Sequence, residues 1–133
     1  MKVKLRDLVD SRTALESLGK QQPSARMSYT LGIVVSAVIP HINHYGRALE
    51  SLQNKYLIPD KDNPDILRLP KEIGDREKYR LEHDELLDAD VDLVGIGQIK
   101  ASLLESNGLK LSPSDFAMLK WLLVNEMDSL FES

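Results

Sequence analysis

Three histidines are the first candidates in this chain for binding a metal ion or transferring a proton. His41 and His44 lie three positions apart, so both would lie on one face of a helix. A metal site needs at least one further ligand, and His83 is the one other histidine. The zinc-protease pattern requires an i, i+4 pair with a glutamate, which is absent here. We expect histidines in contact with solvent or other helices and no metal site, with a metal-dependent hydrolase as one alternative.

The other groups that could perform catalysis do not occur in a recognised pattern. Residues 60–65 hold three aspartates and an asparagine but lack the central glycine and the terminal glutamate of a calcium loop. Residues 82–92 hold six carboxylates, and nothing marks a cleft that would separate the pKa values of two of them. Residues 95–97, Gly-Ile-Gly, have no third glycine at the dinucleotide-binding offset. Cysteine is absent. We therefore expect no cofactor and no enzymatic activity.

Charge is distributed unevenly along the 133 residues, whose net charge is −4. Residues 1–56 carry eight Lys/Arg against four Asp/Glu, whereas residues 57–92 carry six against twelve. These segments are expected to attract one another in the fold or to face water. The alternative is a nucleic-acid-binding protein, although basic residues with interleaved aromatics are missing. Its candidate contacts are Lys2, Lys4, Arg6, Arg12 and Arg26.

The clearest pattern predicts one long helix from Ala25 to Tyr56, with Ser24 as its N-cap. Nine apolar residues recur every three or four positions and form one stripe on a helix. They are Met27, Leu31, Val34, Val38, Ile42, Tyr45, Leu49, Leu52 and Tyr56. Before Pro40 the helix is apolar almost all round, which predicts burial on several sides. Pro40 either kinks the helix or splits it in two, and the unbroken phase of the stripe favours a kink.

Shorter elements are predicted on both sides of this helix. A first helix runs from about Arg6 to Gly19, with Asp10 or Ser11 capping its main part. A charged loop covers about residues 57–72, and a charged helix runs roughly from Asp75 to Leu87. Three short strands could form a small sheet: Val3–Leu5, Ile66–Leu69, and a segment with Val91, Leu93 and Val94.

The end of the chain contains one ambiguous segment and one strongly predicted helix start. Residues 98–111 fit either a short helix ending at Asn107-Gly108 or a hairpin, and we favour the helix. Ser112 and Pro113 are a strong N-cap and N1 pair. The predicted last helix has one apolar stripe: Phe116, Leu119, Leu123, Met127 and Leu130. Trp121 lies nearly opposite that stripe, either as a partner-binding anchor or as a second core contact.

Together these patterns predict a mainly α single domain over residues 1–133, built on one Pro-kinked helix, with a minor sheet of two or three short strands. No signal peptide is evident, and the most apolar run, Leu31 to Ile42, is too short to span a bilayer. We therefore expect a cytoplasmic protein. Surplus apolar positions on the long and last helices point to a protein partner or self-association. The candidate contacts are Trp121, Leu122, Tyr45, Leu49, Leu52 and Tyr56.

Several stretches resemble small, uncharacterised bacteriophage and prophage proteins. The stretches are the opening K-V-K-L-R-D-L, the segment from Ala14 to Leu31, E-L-L-D-A-D-V-D-L, and L-S-P-S-D-F-A-M-L-K-W-L-L. The resemblance covers most of the chain in outline and transfers no catalytic residue. It implies a phage-encoded accessory or assembly factor, or an inhibitor of a host protein, that acts in the host cytoplasm by binding a protein.

Overall fold

The protein is mainly helical with a minor share of strand, in a computed structural model that describes residues 1–124. The five helices of this part are α1 Leu5–Lys20, α2 Ala25–Tyr56, α3 Ile73–Leu87, α4 Ala101–Ser106 and α5 Pro113–Met118. Its strands are β1 Lys2–Lys4, β2 Ile58–Pro59, β3 Leu67–Arg68, β4 Asp90–Asp92, β5 Ile99–Lys100 and β6 Leu123–Val124. The fold class predicted from the sequence is confirmed.

The long helix α2 has the bounds that the apolar stripe predicts. The Ser24 hydroxyl accepts a hydrogen bond from the backbone N–H of Met27 at 3.3 Å, which caps the first turn. The helix continues through Pro40 without interruption, so the division into two helices is wrong. The first half of the stripe is buried: Met27, Leu31, Val34, Val38 and Ile42.

The predicted burial of the first half of α2 on several sides is wrong. Tyr29 is 73% exposed, Ile33 45% and Ile39 41%. Helix α1 and the core cover the stripe, and among residues 1–124 no helix or strand shields Tyr29 or Ile33. A helix that is apolar all round is usually enclosed by its own chain, and α2 departs from this rule over about three turns.

Helix α1 begins earlier than a cap at Asp10 or Ser11 would allow, and that prediction is wrong. The Lys4 backbone N–H donates to Asp7 Oδ2 at 3.1 Å, so an acidic side chain in the first turn satisfies a free donor at the helix start. Ser11 lies inside the helix and is fully buried, and its hydroxyl donates to the Leu8 carbonyl at 2.8 Å. A serine that satisfies its own helix backbone needs no cap position.

The strands form three separate pairs instead of one small sheet. Strands β1 and β4 are antiparallel, with Lys2 opposite Asp92 and Lys4 opposite Asp90. Opposite charges on facing residues stabilise such a pair, which explains how the basic start of the chain and the acidic run come together. Strands β2 and β3 form a short hairpin within the charged loop, and β5 pairs in parallel with β6.

The last helix starts as predicted and ends much sooner. The Ser112 hydroxyl accepts from the Asp115 N–H at 3.0 Å, and Pro113 is the first helical residue. Helix α5 stops at Met118, because the chain then turns so that three leucines enter the core: Leu119, Leu122 and Leu123. Met127 and Leu130 of the predicted stripe lie outside the described residues.

Between β5 and α5 the favoured helix is confirmed. Helix α4 ends before Asn107 and Gly108, and Gly108 has a φ of +86°, a left-handed conformation that glycine adopts without steric cost.

One apolar core joins these elements. It lies against the buried side of α1 and α2 and is completed by side chains that follow β4, including Leu93, Ile96, Leu104 and Leu109. Helix α5 packs on α1, and α3 packs on α2. No residue of α3 is fully buried, so this helix is held at the edge of the core.

Candidate interaction surface

An apolar groove opens at the surface between α1 and α2, and we call it the α1–α2 groove. Five aliphatic side chains and one glycine line most of it: Leu15, Val35, Val38, Ile39, Ile42 and Gly19. Arg12 and Glu16 also line it, and they form an ion pair one turn apart with Nε and Oε1 at 3.3 Å. A second, separate depression lies beside the groove and shares three of its lining residues, Leu15, Gly19 and Val35.

The dimensions of this groove suit protein side chains better than a small-molecule substrate. Its volume is about 200 Å³. An apolar cavity of roughly 150 Å³ accepts a benzene ring, whereas sites for drug-sized ligands occupy roughly 300–1,000 Å³. The charged pair of Arg12 and Glu16 is the main polar feature, and no set of polar groups among residues 1–124 converges on the groove floor. The groove therefore has room for one or two aliphatic or aromatic side chains.

Aromatic and polar contacts join the second half of α2 to α3. Tyr45 Oη and His83 Nε2 lie 2.9 Å apart, and their rings are stacked with centroids 6.1 Å apart. Tyr79 stacks on His83 with the same centroid separation, and its edge contacts the ring of Tyr56. Burial raises the pKa of the Tyr45 hydroxyl above its usual value. These contacts join the second half of α2 to α3.

An ion pair extends the same contact towards the end of α2. Lys55 Nζ lies 3.1 Å from Glu82 Oε1. The Tyr56 hydroxyl and the Lys55 ammonium lower the pKa of the Glu82 carboxyl. Reciprocally, Glu82 raises the pKa of Lys55. This pair lies at the surface, so its contribution to stability is small and falls with added salt.

The structure places the predicted partner-binding residues partly or wholly inside the protein. Tyr45 and Tyr56 contact α3, and Leu49 and Leu52 on the same face of α2 are half-buried. Leu122 is fully buried, so the folded protein presents it to no partner. Trp121 is half-buried and packs against the core, and its indole Nε1 has no hydrogen-bond acceptor among residues 1–124.

The three histidines do not form one cluster. His41 is half-buried, His44 is exposed, and His83 is engaged with Tyr45. Within residues 1–124, no group of three His, Asp or Glu side chains has an arrangement that could hold a metal ion. The spacing of His41 and His44 is therefore a feature of the surface of α2 in the described part of the chain.

The basic residues of the nucleic-acid alternative are largely engaged with acidic partners. Lys4 Nζ lies 2.7 Å from Asp90, and Arg6 lies 2.9 Å from Asp88. Arg12 pairs with Glu16, and Lys2 lies opposite Asp92 in the β1–β4 pair. Arg26 is exposed at the start of α2. A phosphate backbone would have to compete with these carboxylates, which weakens the electrostatic attraction that such binding needs.

The α1–α2 groove is not among the surfaces predicted from the sequence, although the spacing of apolar residues on both helices indicates it. Val35 and Ile39 lie four residues apart and off the main stripe of α2, and Leu15 and Gly19 have the same spacing on α1. Residues four apart share one side of a helix. Two such short apolar rows on neighbouring helices define the walls of a groove once the helices are known to pack together.

Helix α2 is also long and apolar enough to cross a membrane when judged by length and composition alone. The core helix of a soluble protein satisfies the same criterion, and in α2 the first half of the main stripe, Met27 to Ile42, lies in the core. The helix therefore does not determine where the protein resides.

No protein-family model, curated protein or solved structure matches the chain. A function for it must consequently be argued from its own surfaces.

Proposed function

We propose that this chain is a non-catalytic protein that binds another protein through the α1–α2 groove. The observation that carries the proposal is an open groove with walls of Leu15, Val35 and Ile39 and the volume of one or two side chains. Burying one leucine- or phenylalanine-sized side chain contributes about 1.5–3 kcal/mol, so such an anchor is a substantial part of a micromolar affinity. The paired charges of Arg12 and Glu16 at the groove would help to orient a polar group of the partner beside the anchor.

The resemblance to small phage and prophage proteins supplies a biological setting for this activity. In that setting the chain is a phage-encoded accessory or assembly factor, or an inhibitor of a host protein, and its partner is present in the bacterial cytoplasm. The mode of binding in either case is the insertion of apolar side chains into a preformed groove, which requires little rearrangement of this chain.

The test has two steps, of which the first identifies the partner. A photo-crosslinking amino acid replaces Glu16, an exposed residue at the groove, and a second protein carries the same amino acid in place of the exposed Glu85 on α3. Both are exposed to bacterial lysate and irradiated. We expect a protein that is crosslinked from position 16 and not from position 85.

The second step asks whether the groove itself binds that protein. A Cβ added at Gly19 would meet no atom within 4 Å, so Gly19→Leu places a side chain in the groove without burying a polar group. Gly46→Leu makes the same change on α2, also in open space, and is the matched control. We expect Gly19→Leu to weaken binding of the purified partner by about tenfold or more, and Gly46→Leu to leave the dissociation constant unchanged. Equal affinity for both variants, or no crosslink specific to position 16, would exclude the groove as the binding site.

A further inference from the structure

One side of α2, next to the side that packs against α1, is apolar and exposed. Tyr29, Gly32, Ile33 and Ser36 line a shallow depression there, and we call these four residues the outer face. Tyr29 is 73% exposed and Ile33 45%. Contiguous apolar side chains on the exposed side of a helix offer a surface that a partner can cover.

The outer face lies in a long stretch without ionic charge. Residues 27–46 contain no Asp, Glu, Lys or Arg. In an interface with twofold symmetry each residue meets its own symmetry mate or a residue near it, so a surface with many like charges would repel its own copy. The outer face carries no ionic charge, so two copies of it would not repel each other electrostatically.

Large and small residues alternate along the outer face. The face is therefore complementary in shape to a second copy of itself that runs in the opposite direction. Tyr29 and Ile33 project, whereas Gly32 and Ser36 leave room, and a Cβ at Gly32 would meet no atom within 4 Å. When two such helices run antiparallel about an axis between residues 32 and 33, Tyr29 faces Ser36 of the other copy and Ile33 faces Gly32. Every large side chain then meets a small residue. Parallel helices would place Tyr29 against Tyr29 and leave Gly32 facing Gly32.

The position of Arg26 is consistent with this antiparallel register. Arg26 is the nearest cation on the amino-terminal side of the outer face. About the same axis the two Arg26 positions lie roughly 20 Å apart along the helices, at 1.5 Å per residue. This separation exceeds the Debye length of about 8–10 Å at physiological salt, so their repulsion is screened. Arg26 would lie beside Ile39 of the other copy, where its aliphatic stem can cover apolar surface.

We propose that the outer face binds a second copy of this chain, forming a dimer through an antiparallel pair of α2 helices centred between Gly32 and Ile33. This proposal goes beyond binding through the α1–α2 groove. It involves a neighbouring side of α2 that does not include Gly19, so it holds even where Gly19→Leu has no effect on any partner. The two surfaces adjoin, because Ile39 lines the groove and would also lie beside Arg26 of the other copy.

Light scattering measures the oligomeric state of the full chain and of two matched variants. Ile33→Glu introduces a charge on the outer face, and Ile66→Glu introduces the same charge at an equally exposed isoleucine outside it, since the two are 45% and 48% exposed. We expect the unaltered chain and Ile66→Glu to have the mass of a dimer and Ile33→Glu that of a monomer with unchanged helical circular dichroism. A monomeric unaltered chain, or a dimer that survives Ile33→Glu, would overturn the proposal.

Disulfide formation tests the register, since the chain has no cysteine of its own. Tyr29→Cys and Ser36→Cys are made in separate chains, oxidised alone and then as a mixture. Facing positions bring the two sulfurs together only in the mixture, because like positions lie roughly 10 Å apart along the helices and a disulfide needs Cα atoms within about 7 Å. We expect the mixture to form a crosslink between the Tyr29→Cys chain and the Ser36→Cys chain at a yield several times that of either chain alone. A dominant crosslink between two Tyr29→Cys chains would refute the antiparallel pair.

Discussion

The hydroxyl of Tyr45 lies 2.9 Å from Nε2 of His83, and this contact joins the second half of α2 to α3. The two rings are nearly parallel, with an interplanar angle of 20°. No residue of α3 is fully buried, although the half-buried Leu86 packs against the core. Polar and aromatic contacts therefore contribute to the docking of α3.

Replacement of Tyr45 by phenylalanine tests this dependence. The variant keeps the stacked ring and removes the hydroxyl, which leaves His83 Nε2 without its partner. We expect a loss of about 1 kcal/mol in the free energy of unfolding, measured by urea denaturation. The matched control is Thr13→Val, which removes the hydroxyl of an exposed side chain on α1, and the change should be within about 0.5 kcal/mol. Equal losses in the two variants would show that the Tyr45 hydrogen bond does not stabilise the fold.

The same tyrosine predicts a specific change in stability at alkaline pH. Burial raises the pKa of the Tyr45 hydroxyl above its ordinary value of 10.0, because the anion is poorly solvated there. The unfolded chain ionises first, so the stability linked to this group is complete below pH 10.0 and is lost as the pH rises from that value through the raised pKa of the folded protein. We expect the advantage of the unaltered chain over Tyr45→Phe to shrink between about pH 9 and pH 11. An advantage that stays constant over this range would contradict the assignment.

The Lys4–Asp90 ion pair predicts the opposite behaviour at acidic pH. The hydrogen bond and charge of Lys4 lower the pKa of the Asp90 carboxyl below its ordinary value of 3.8. The stabilisation is thus present above that value and is lost as the pH falls through the lowered pKa. Lys4→Met should reduce the urea midpoint slightly near neutral pH, with the difference closing below about pH 4 and at high salt. Lys61→Met, in the exposed loop, is the control for loss of one positive charge, and a pH dependence as large as that of Lys4→Met would argue against the pair.

The secondary structure that the sequence predicts well is the part that depends on local patterns. The bounds of α2 follow from a nine-residue stripe and the Ser24 cap, and the start of α5 follows from Ser112 and Pro113. The early end of α5 could not be predicted, because it results from tertiary contacts of Leu119 and Leu122 that overrule a continuous helical pattern. Pairing of strands as short as two residues is likewise decided by distant parts of the chain.

The two proposed binding surfaces were harder to predict from the sequence because both depend on which side of α2 its own chain leaves uncovered. The sequence shows that residues around Ile33 and Ile39 are apolar off the main stripe, and the simplest reason for such a pattern is burial. Only the placement of α1 and of the core distinguishes an enclosed helix from one with an open side. Two of the residues predicted to bind a partner have contacts within the fold, since Leu122 is fully buried and Tyr45 contacts His83.

Alanine substitutions of Leu122 and Leu103 measure the difference in stability between truncating a core residue and truncating a surface residue. Leu122 is fully buried, whereas Leu103 is 48% exposed on α4. We expect Leu122→Ala to lower the free energy of unfolding by about 2–5 kcal/mol, because it removes apolar contacts and leaves a cavity. Leu103→Ala should cost clearly less, since much of that side chain already contacts water. Similar losses for the two substitutions would mean that Leu122 is not a core residue.

Pro40 lies inside α2, which continues through it without interruption, and its replacement by alanine is expected to stabilise the protein. It has no N–H to donate to the Ser36 carbonyl, and an interior proline costs roughly 3 kcal/mol relative to alanine. We expect Pro40→Ala to raise the free energy of unfolding by about 1–3 kcal/mol, with the phase of the buried stripe unchanged. Asn43→Ala, at an exposed position one turn later, should gain less than about 1 kcal/mol through helix propensity alone. A gain at Pro40 no larger than that at Asn43 would show that the packing of α2 against α1 and α3 accommodates the proline without a net cost in stability.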